Sequence, residues 1–312
     1  MKVLEIEQPA SFVIGRILRG LVIEMRPQEW SKNLLVFSGV IFSRSLTDIN
    51  NLWISILGFA VFCAASSGIY IFNDLCDLRE DKQHPIKRYR PLASGKLSVP
   101  IARLAMTLLF AIAALGSLAL SYRFALIIAL YLAICIGYSL RLKDIVILDV
   151  ILIASGFVLR AVSGAFLIGV APSEWLVLCT SMVALLIGFG KRRHEIVLLD
   201  QNAENHRRSL SDYSVDFLDS IMNICAAAAV ITYALYTRAD ETVARVGSSA
   251  MLVTIPFVIY GVFRYLFLVQ KGTEGGNPIR ILYFDRPTRR NLLLWVLVVI
   301  LVLYLPALIR TK

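Results

Sequence analysis

Apolar runs of about 17–25 residues recur along the whole 312-residue chain, and no other feature constrains its fold as strongly. A helix needs about 20 such residues to cross the ~30 Å hydrocarbon core of a bilayer. The hydrophobic fraction is 58% and the mean hydropathy +0.72, against roughly 45–50% apolar content in soluble domains. No period-2 alternation runs beside these segments, which excludes a β-barrel. The sequence therefore predicts an all-α, polytopic membrane helical bundle forming a single domain over residues 1–312. Nine spans are expected, near 27–43, 51–77, 101–120, 123–140, 145–169, 174–196, 216–237, 249–270 and 290–309. Residues 11–25 read as an interfacial amphipathic helix, with Phe12, Ile14, Ile17, Leu18 and Leu21 opposed by Arg16 and Arg19.

The net charge of +10 raises nucleic acid as a partner, but its distribution argues against one. Lys and Arg gather in alternate connections: the N-terminus, 78–103, Arg141 and Lys143, 191–208 and 271–290. The intervening loops hold few of them, so the basic side is cytoplasmic. That places the N-terminus and the long connections at 78–100, 197–215 and 271–289 inside the plasma (inner) membrane, and the C-terminus outside. Elaborated loops on one face point to work done at that face. Glu5 and Glu7 interrupt the N-terminal segment, and no removable signal peptide is expected. The five cysteines lack CxxC spacing and read as reduced, buried thiols rather than a disulfide framework or a zinc site.

The densest polar signal is Asn73-Asp74-Leu75-Cys76-Asp77-Leu78-Arg79-Glu80-Asp81 at the end of the second span. Asn73, Asp77 and Asp81 follow i, i+4, i+8, which stacks them on one helical face with Asp74 adjoining. Like charges at i, i+4 destabilise a helix by about 0.2–0.5 kcal/mol per pair, so a cation is expected to offset them. A small set of hard oxygen ligands suits Mg²⁺ that keeps waters and shares phosphate oxygens; a solvated helix end satisfied by Arg79 and Lys82 is the alternative. The segment His84-Pro85-Ile86-Lys87-Arg88-Tyr89-Arg90-Pro91-Leu92-Ala93-Ser94-Gly95 follows. By itself it is an ordinary positive-inside loop, with His84 a loop hydrogen-bonder. Beside the carboxylates, Lys87, Arg88 and Arg90 become candidates for phosphate oxygens.

NDxxDxxxD followed by KRxRPLxSG on a chain of nine expected spans resembles the UbiA superfamily of membrane prenyltransferases. The resemblance implies a helical bundle around a central cavity, in which two acid-rich motifs hold Mg²⁺ and a diphosphate. The second half departs from that pattern. Where a second DxxxD motif is expected, the chain has Gly190-Lys191-Arg192-Arg193-His194-Glu195, with Glu195 its one carboxylate; Asp212, Asp216 and Asp219 read as the cap and interface of the seventh span. This departure is similar to the decaprenyl-phosphate phosphoribosyltransferase branch. Arg26-Pro27 through Trp30-x-Lys32-Asn33, Leu159-Arg160-Ala161 with Ser163-Gly164, Ser209-Leu210-x-x-Tyr213 and Arg264-Tyr265 extend the likeness.

That branch implies transfer of 5-phosphoribose from phosphoribosyl diphosphate to a polyprenyl phosphate. Asp74, Asp77 and Asp81 are then metal-binding and catalytic, and Lys191 is catalytic. Asn73, Lys32, Lys87, Arg88, Arg90, Arg192 and Glu195 are substrate-binding candidates, with Lys191 and Arg192 on the 5-phosphate or the lipid phosphate. Tyr138, Lys143 and Asp149 flank the start of the fifth span, where relatives carry a Tyr/Lys cluster, although Lys143 has Asp144 as a structural partner. Arg160 lies mid-span, where a charge costs about 2.5–3.5 kcal/mol on insertion scales, and is expected to face the cavity. Arg264 is either a substrate contact or a snorkelling side chain. Trp53, Trp175 and Trp295 near span ends read as interfacial belt residues. Two rivals stand: a prenyltransferase acting on an aromatic acceptor, and a transporter with charges lining a path. The expected partners are the bilayer, the polyprenyl phosphate and phosphoribosyl diphosphate; whether the chain forms a homo-oligomer is left open.

Overall fold

The computed structural model describes residues 10–199, 212–271 and 278–310, and every regular element among them is helical. Helix α1 (Ala10–Met25) leads into a 3-10 run (Pro27–Phe37) and the short α2 (Ser38–Phe42). Then come α3 (Ile49–Cys76), α4 (Leu78–Gln83), α5 (Val99–Leu120), α6 (Tyr122–Leu140), α7 (Leu148–Leu167) and α8 (Glu174–Leu199). They are followed by α9 (Val215–Arg238), α10 (Asp240–Val246), α11 (Ile255–Gln270), α12 (Pro278–Phe284) and α13 (Arg286–Arg310). Among the described residues, eight helical stretches are long and apolar enough to cross a membrane: α3, α5 to α9, Ser249–Gln270 and Arg286–Leu305. The all-helical, multi-pass expectation holds.

The first expected span, 27–43, takes a different form. Pro27 removes a backbone donor, and the polar residues after it are held by α3 rather than by lipid. The Trp30 indole donates to Ser67 Oγ (3.0 Å), and buried Asn33 donates to Ser66 Oγ (3.2 Å) and Cys63 Sγ (3.3 Å). At ~2.0 Å rise per 3-10 residue and ~1.5 Å per α residue, the contour of Pro27–Phe42 is still about 30 Å. A Cβ at Gly164 of α7 would overlap the Val36 carbonyl, and one at Gly39 would overlap the Gly164 backbone. Those glycines let the 3-10 run and α2 touch α7 backbone to backbone, and Ser38 Oγ donates to the Ala161 carbonyl there (3.2 Å).

By contact density the chain divides into two compact units, Met1–Asn33 with Phe59–Leu140, and Leu34–Gly58 with Arg141–Lys312. In the first, Ile71, Leu92, Leu97 and Ala102 form a buried cluster on which Ile17, Leu21 and Met25 of α1 pack. The i, i+4 pair Ile17 and Leu21 thus faces protein, while Leu18, Val22 and Ile23 stay exposed. On α5 the buried residues are small (Ala102, Ala113, Ser117), and Leu104, Leu108, Ile112, Leu115 and Leu118 form an exposed stripe. That is the pattern of a helix facing lipid on one side and close neighbours on the other. In the second unit, Val150, Leu186, Phe189, Leu218 and Met222 centre one cluster; Tyr233, Tyr236, Met251, Val299 and Leu303 centre another. Trp175 and Trp295 pack on this last cluster, and the Trp295 indole donates to Tyr233 Oη (3.0 Å), so of the three expected belt tryptophans only Trp53 is broadly exposed.

Candidate functional site

In the first unit, α3 ends at Cys76 and α4 begins at Leu78, with Asp77 at the junction. The break leaves the ladder intact, because Asp77 N–H reaches the Asn73 carbonyl and Asp81 N–H the Asp77 carbonyl, both at 2.8 Å. Helical phase therefore continues, and residues 74 and 81, two turns apart, fall on one face. Both carboxylates are only 2% exposed. The same ladder keeps the i, i+4, i+8 spacing of Asn73, Asp77 and Asp81, and Asn73 Oδ1 accepts from Ser139 Oγ of α6.

The two buried carboxylates meet three cations. Arg26 Nη2 donates to both oxygens of Asp74 (2.6 and 2.7 Å), while its guanidinium lies over the Tyr70 ring at 5.1 Å. Arg90 Nη1 donates to Asp74 Oδ1 (2.9 Å) and to Asp81 Oδ2 (2.5 Å). Lys87 Nζ stands 3.8 Å from Asp81 Oδ1. Glu24 of α1, 1% exposed, accepts the Leu92 N–H (2.8 Å) and ties α1 to the Arg90–Gly95 segment. Burial pushes the Glu24 carboxyl up to about 8, and the neighbouring Asp74 carboxylate pushes in the same direction. His84 Nδ1 accepts the N–H groups of Ile86 (3.1 Å) and Lys87 (3.2 Å), which shapes the turn carrying the basic residues. Arg88 is exposed and stacked on Tyr89, and Lys32 pairs with Glu29 at 2.5 Å.

A cationic nitrogen shared by two buried carboxylates marks a place where a divalent cation fits by charge and by donor type. No three His, Cys, Asp or Glu side chains converge as a metal cage among the described residues. The carboxylate pair of Asp74 and Asp81 suits Mg²⁺, which takes one or two carboxylates and completes its shell with water and phosphate oxygens. It does not suit a structural zinc.

In the second unit, the start of α7, the end of α8 and the start of α9 share another buried cluster. Arg192, 1% exposed, sets Nε 2.6 Å from Asp149 Oδ2, a charge contact outside hydrogen-bond alignment, and its Nη1 donates to Glu195. Tyr213 Oη donates to Asp149 Oδ1 (3.0 Å) and accepts the Ile147 N–H (2.6 Å). Arg193 is held by Asp219 (2.6 and 3.2 Å) and by the Val269 carbonyl (3.1 Å). The interface role expected of Asp219 is present, and the cap of α9 is Ser214, whose Oγ accepts the Phe217 N–H. Lys191, one residue before Arg192, is exposed. Lys143 is half-buried on the 3-10 turn Leu142–Asp144, and Tyr138 lies in the last turn of α6.

Two further expected residues lie on the long helices of the second unit. Arg160 is buried on α7, donates back to the Gly156 carbonyl (2.7 Å) and lies over the Phe157 ring. Arg264 grips Asp285 with two nitrogens (2.7 and 3.2 Å), and Asp285 also accepts from Thr288 N–H and Oγ at the start of α13. Those donors hold the Asp285 carboxyl down to about 2. Sequence reasoning passed over Glu24 and Ser139. A lone acid two residues before Arg26-Pro27 was the available signal for Glu24; for Ser139 there was none.

The sequence profile of the UbiA prenyltransferase family matches residues 34–281. The chain is 31% identical to a decaprenyl-phosphate phosphoribosyltransferase of Corynebacterium glutamicum, over 92% of its length and 87% of the relative's. It is 30% identical to one of Mycolicibacterium smegmatis, covering 93% and 94%. A solved UbiA homolog from Archaeoglobus fulgidus, bound to GPP and Mg²⁺, superposes with a TM-score of 0.68 at 19% identity, over 91% of this chain and 99% of that one.

Proposed function

The chain belongs to the UbiA prenyltransferase family and is a multi-pass membrane transferase; from that premise we propose that it moves 5-phosphoribose from phosphoribosyl diphosphate to a polyprenyl phosphate. A phosphate oxygen of the lipid forms a bond to C1 of the ribose, and the C1–O bond to diphosphate breaks, the diphosphate leaving with the electron pair. The nucleophile is already anionic, so no base takes a proton, and catalysis rests on positioning and charge stabilisation. Asp74 and Asp81, with Asp77 beside them at the α3–α4 junction, would supply the carboxylates for Mg²⁺, one or two of them binding it directly; the ion supplies charge neutralisation for the leaving diphosphate. Arg26, Arg90 and Lys87, already on those carboxylates, are placed to exchange a carboxylate oxygen for a phosphate oxygen. Lys191 and Lys143 are assigned to phosphate groups of donor or lipid. Arg192, expected to touch substrate, is reassigned to holding the ends of α7 and α8 together, because its charge is buried against Asp149 and Glu195.

The observation that carries the donor assignment is at the end of α8. Among the described residues, Asp149, Glu195 and Asp219 each meet an arginine of the basic run, Arg192 or Arg193, so these carboxylates carry arginine counter-charges. The names of the two bacterial relatives support the same reading. The Lys and Arg distribution supports a cytoplasmic site, an N-terminus inside and a C-terminus outside. The test uses purified protein with labelled phosphoribosyl diphosphate and a polyprenyl phosphate, with Mg²⁺ or EDTA, beside a prenyl diphosphate with an aromatic acid. Label in the lipid phase that depends on Mg²⁺ is the expected result. Prenylation of the aromatic acid, with phosphoribosyl diphosphate neither reacting nor competing, overturns the proposal.

A further inference from the structure

The turn that leads into α7 is strained, and one phenol holds it. Leu148 N–H bonds to the Val146 carbonyl at 2.8 Å around Ile147, whose φ is 69° and ψ −46°. This is a γ-turn of the positive-φ kind, rare for any residue and disfavoured above all for a β-branched one. Burial of the isoleucine side chain does not enforce it, since Ile147 is 42% exposed. The Ile147 N–H instead points at Tyr213 Oη, 2.6 Å away, and the same hydroxyl donates to Asp149 Oδ1 at 3.0 Å. Asp149 lies on the first turn of α7 and meets Arg192 of α8. Tyr213 itself immediately precedes Ser214, the cap of α9. One hydroxyl therefore joins a strained peptide, a fully buried carboxylate and, through that carboxylate, the end of α8.

Strain of this kind persists only where the surroundings over-determine it, and it clusters where geometry matters for function. Four residues before Ile147 is Lys143, and one residue before Arg192 is Lys191, the two lysines assigned above to phosphate. We infer that Tyr213 is a positioning residue for the transfer reaction, its hydroxyl fixing the 143–149 turn and the Asp149–Arg192 contact so that Lys143 and Lys191 meet phosphate from set positions. The inference rests on the proposed transfer for its substrate, but the clamp itself belongs to the fold. Burial pushes the Tyr213 hydroxyl up to about 12, so it keeps the proton it donates throughout the working pH range. The role needs the hydroxyl rather than the ring, whose stacking on Phe217 (6.2 Å between centroids) survives removal of the oxygen.

Three variants separate the hydroxyl from packing: Tyr213→Phe, Ile147→Gly and the double substitution. Glycine accepts a positive φ without steric cost, so it removes the conflict that the phenol restrains. Tyr213→Phe is expected to stay monodisperse in detergent, to raise the KM for phosphoribosyl diphosphate about tenfold, the scale of one lost hydrogen bond to a charged group, and to change kcat less than threefold. Amide exchange over residues 144–150 should speed up in the same variant. Adding Ile147→Gly should recover a good part of the KM, so that the double variant works better than Tyr213→Phe alone. Unchanged KM and unchanged exchange in Tyr213→Phe overturn the inference. So does a loss in kcat alone, or a double variant that shows the two single losses multiplied. If the native protein ignores phosphoribosyl diphosphate, the proposed function falls by itself. The clamp is then judged by the same KM split on the prenyl diphosphate it does use, together with the exchange rates.

Discussion

Replacing Arg90 by alanine should make the stability of this protein depend on magnesium. Arg90 Nη1 is the one nitrogen on both Asp74 and Asp81, at 2.9 and 2.5 Å. A hydrogen bond to a charged group contributes about 1.5–3 kcal/mol. The Arg90 side chain is 29% exposed, so solvent screens part of this and the lower end applies. The pair then amounts to about 2–3 kcal/mol, and its loss leaves two carboxylates that are almost fully buried and short of cations. For a chain of 312 residues that corresponds to a fall of roughly 3–5 °C in the apparent melting temperature. A divalent ion at ten times its Kd returns about 1.4 kcal/mol by mass action, close to half the loss. The assay is a fluorescence melt in detergent at one fixed scan rate, wild type and Arg90→Ala, in EDTA and in 10 mM MgCl₂. Wild type should shift little with magnesium and the variant by about 2 °C upward. Equal melting of both proteins in EDTA, or an equal magnesium shift in both, would refute the reasoning that this guanidinium sits where a metal cation fits.

Asp77→Asn and Asp81→Asn should each reduce transfer at least a hundredfold while the protein remains folded in the membrane, measured as product per mole of purified protein; full activity with unchanged Mg²⁺ dependence in both would remove the acid cluster from the site. A cysteine placed at Ser94 should be labelled by an impermeant maleimide only after permeabilisation, and one at Ala239 in intact cells, and the reverse pattern would invert the topology. Asp285, held near 2 against 3.8 in an unfolded chain, contributes stability that is complete above about pH 4 and is lost as pH falls toward 2. The melting gap between wild type and Asp285→Asn should therefore be present at pH 6 and narrow below pH 4, and a gap that widens there contradicts the ion pair with Arg264.

What was legible in the sequence was what local spacing encodes. Apolar runs marked the long helices because a bilayer demands length and composition together. The carboxylate cluster and Arg90 were visible because nine residues separate Asp81 from Arg90. Long-range pairings left no such trace. Arg192 reads as one more cation in a basic run, yet its charge is buried against Asp149, 43 residues earlier in the chain, and one sequence does not say which carboxylate an arginine will meet. Asn73 fits the acid face by period, but its partner Ser139 on α6, 66 residues later in the chain, left no trace in that spacing. The 27–43 segment carries Trp30, Lys32 and Asn33 in its opening turns, and Trp30 and Asn33 find hydroxyl and thiol partners on α3 that spacing alone does not name. Where partners come from another helix, periodicity is silent.

The proposed donor rests on how charge is spent in each of the two polar clusters. At Asp74 and Asp81, two carboxylates face three cations, and those cations are a quarter or more exposed, so a metal or a phosphate can displace them. At the end of α8 the arrangement is inverted: Arg192 is sealed between Asp149 and Glu195, and Arg193 is taken by Asp219. A donor held by two metal-bearing acid motifs would have to strip a buried arginine of its counter-charges, which costs about 3–5 kcal/mol when one partner of a buried pair is removed. A donor that carries a separate 5-phosphate needs no acids there. It needs an exposed cation on a rigid helix end, and Lys191 beside the locked Arg192 is one. Among the described residues, the ion pairs commit Asp149, Glu195 and Asp219 to arginine, and that commitment favours the proposed phosphoribosyl diphosphate over a prenyl diphosphate.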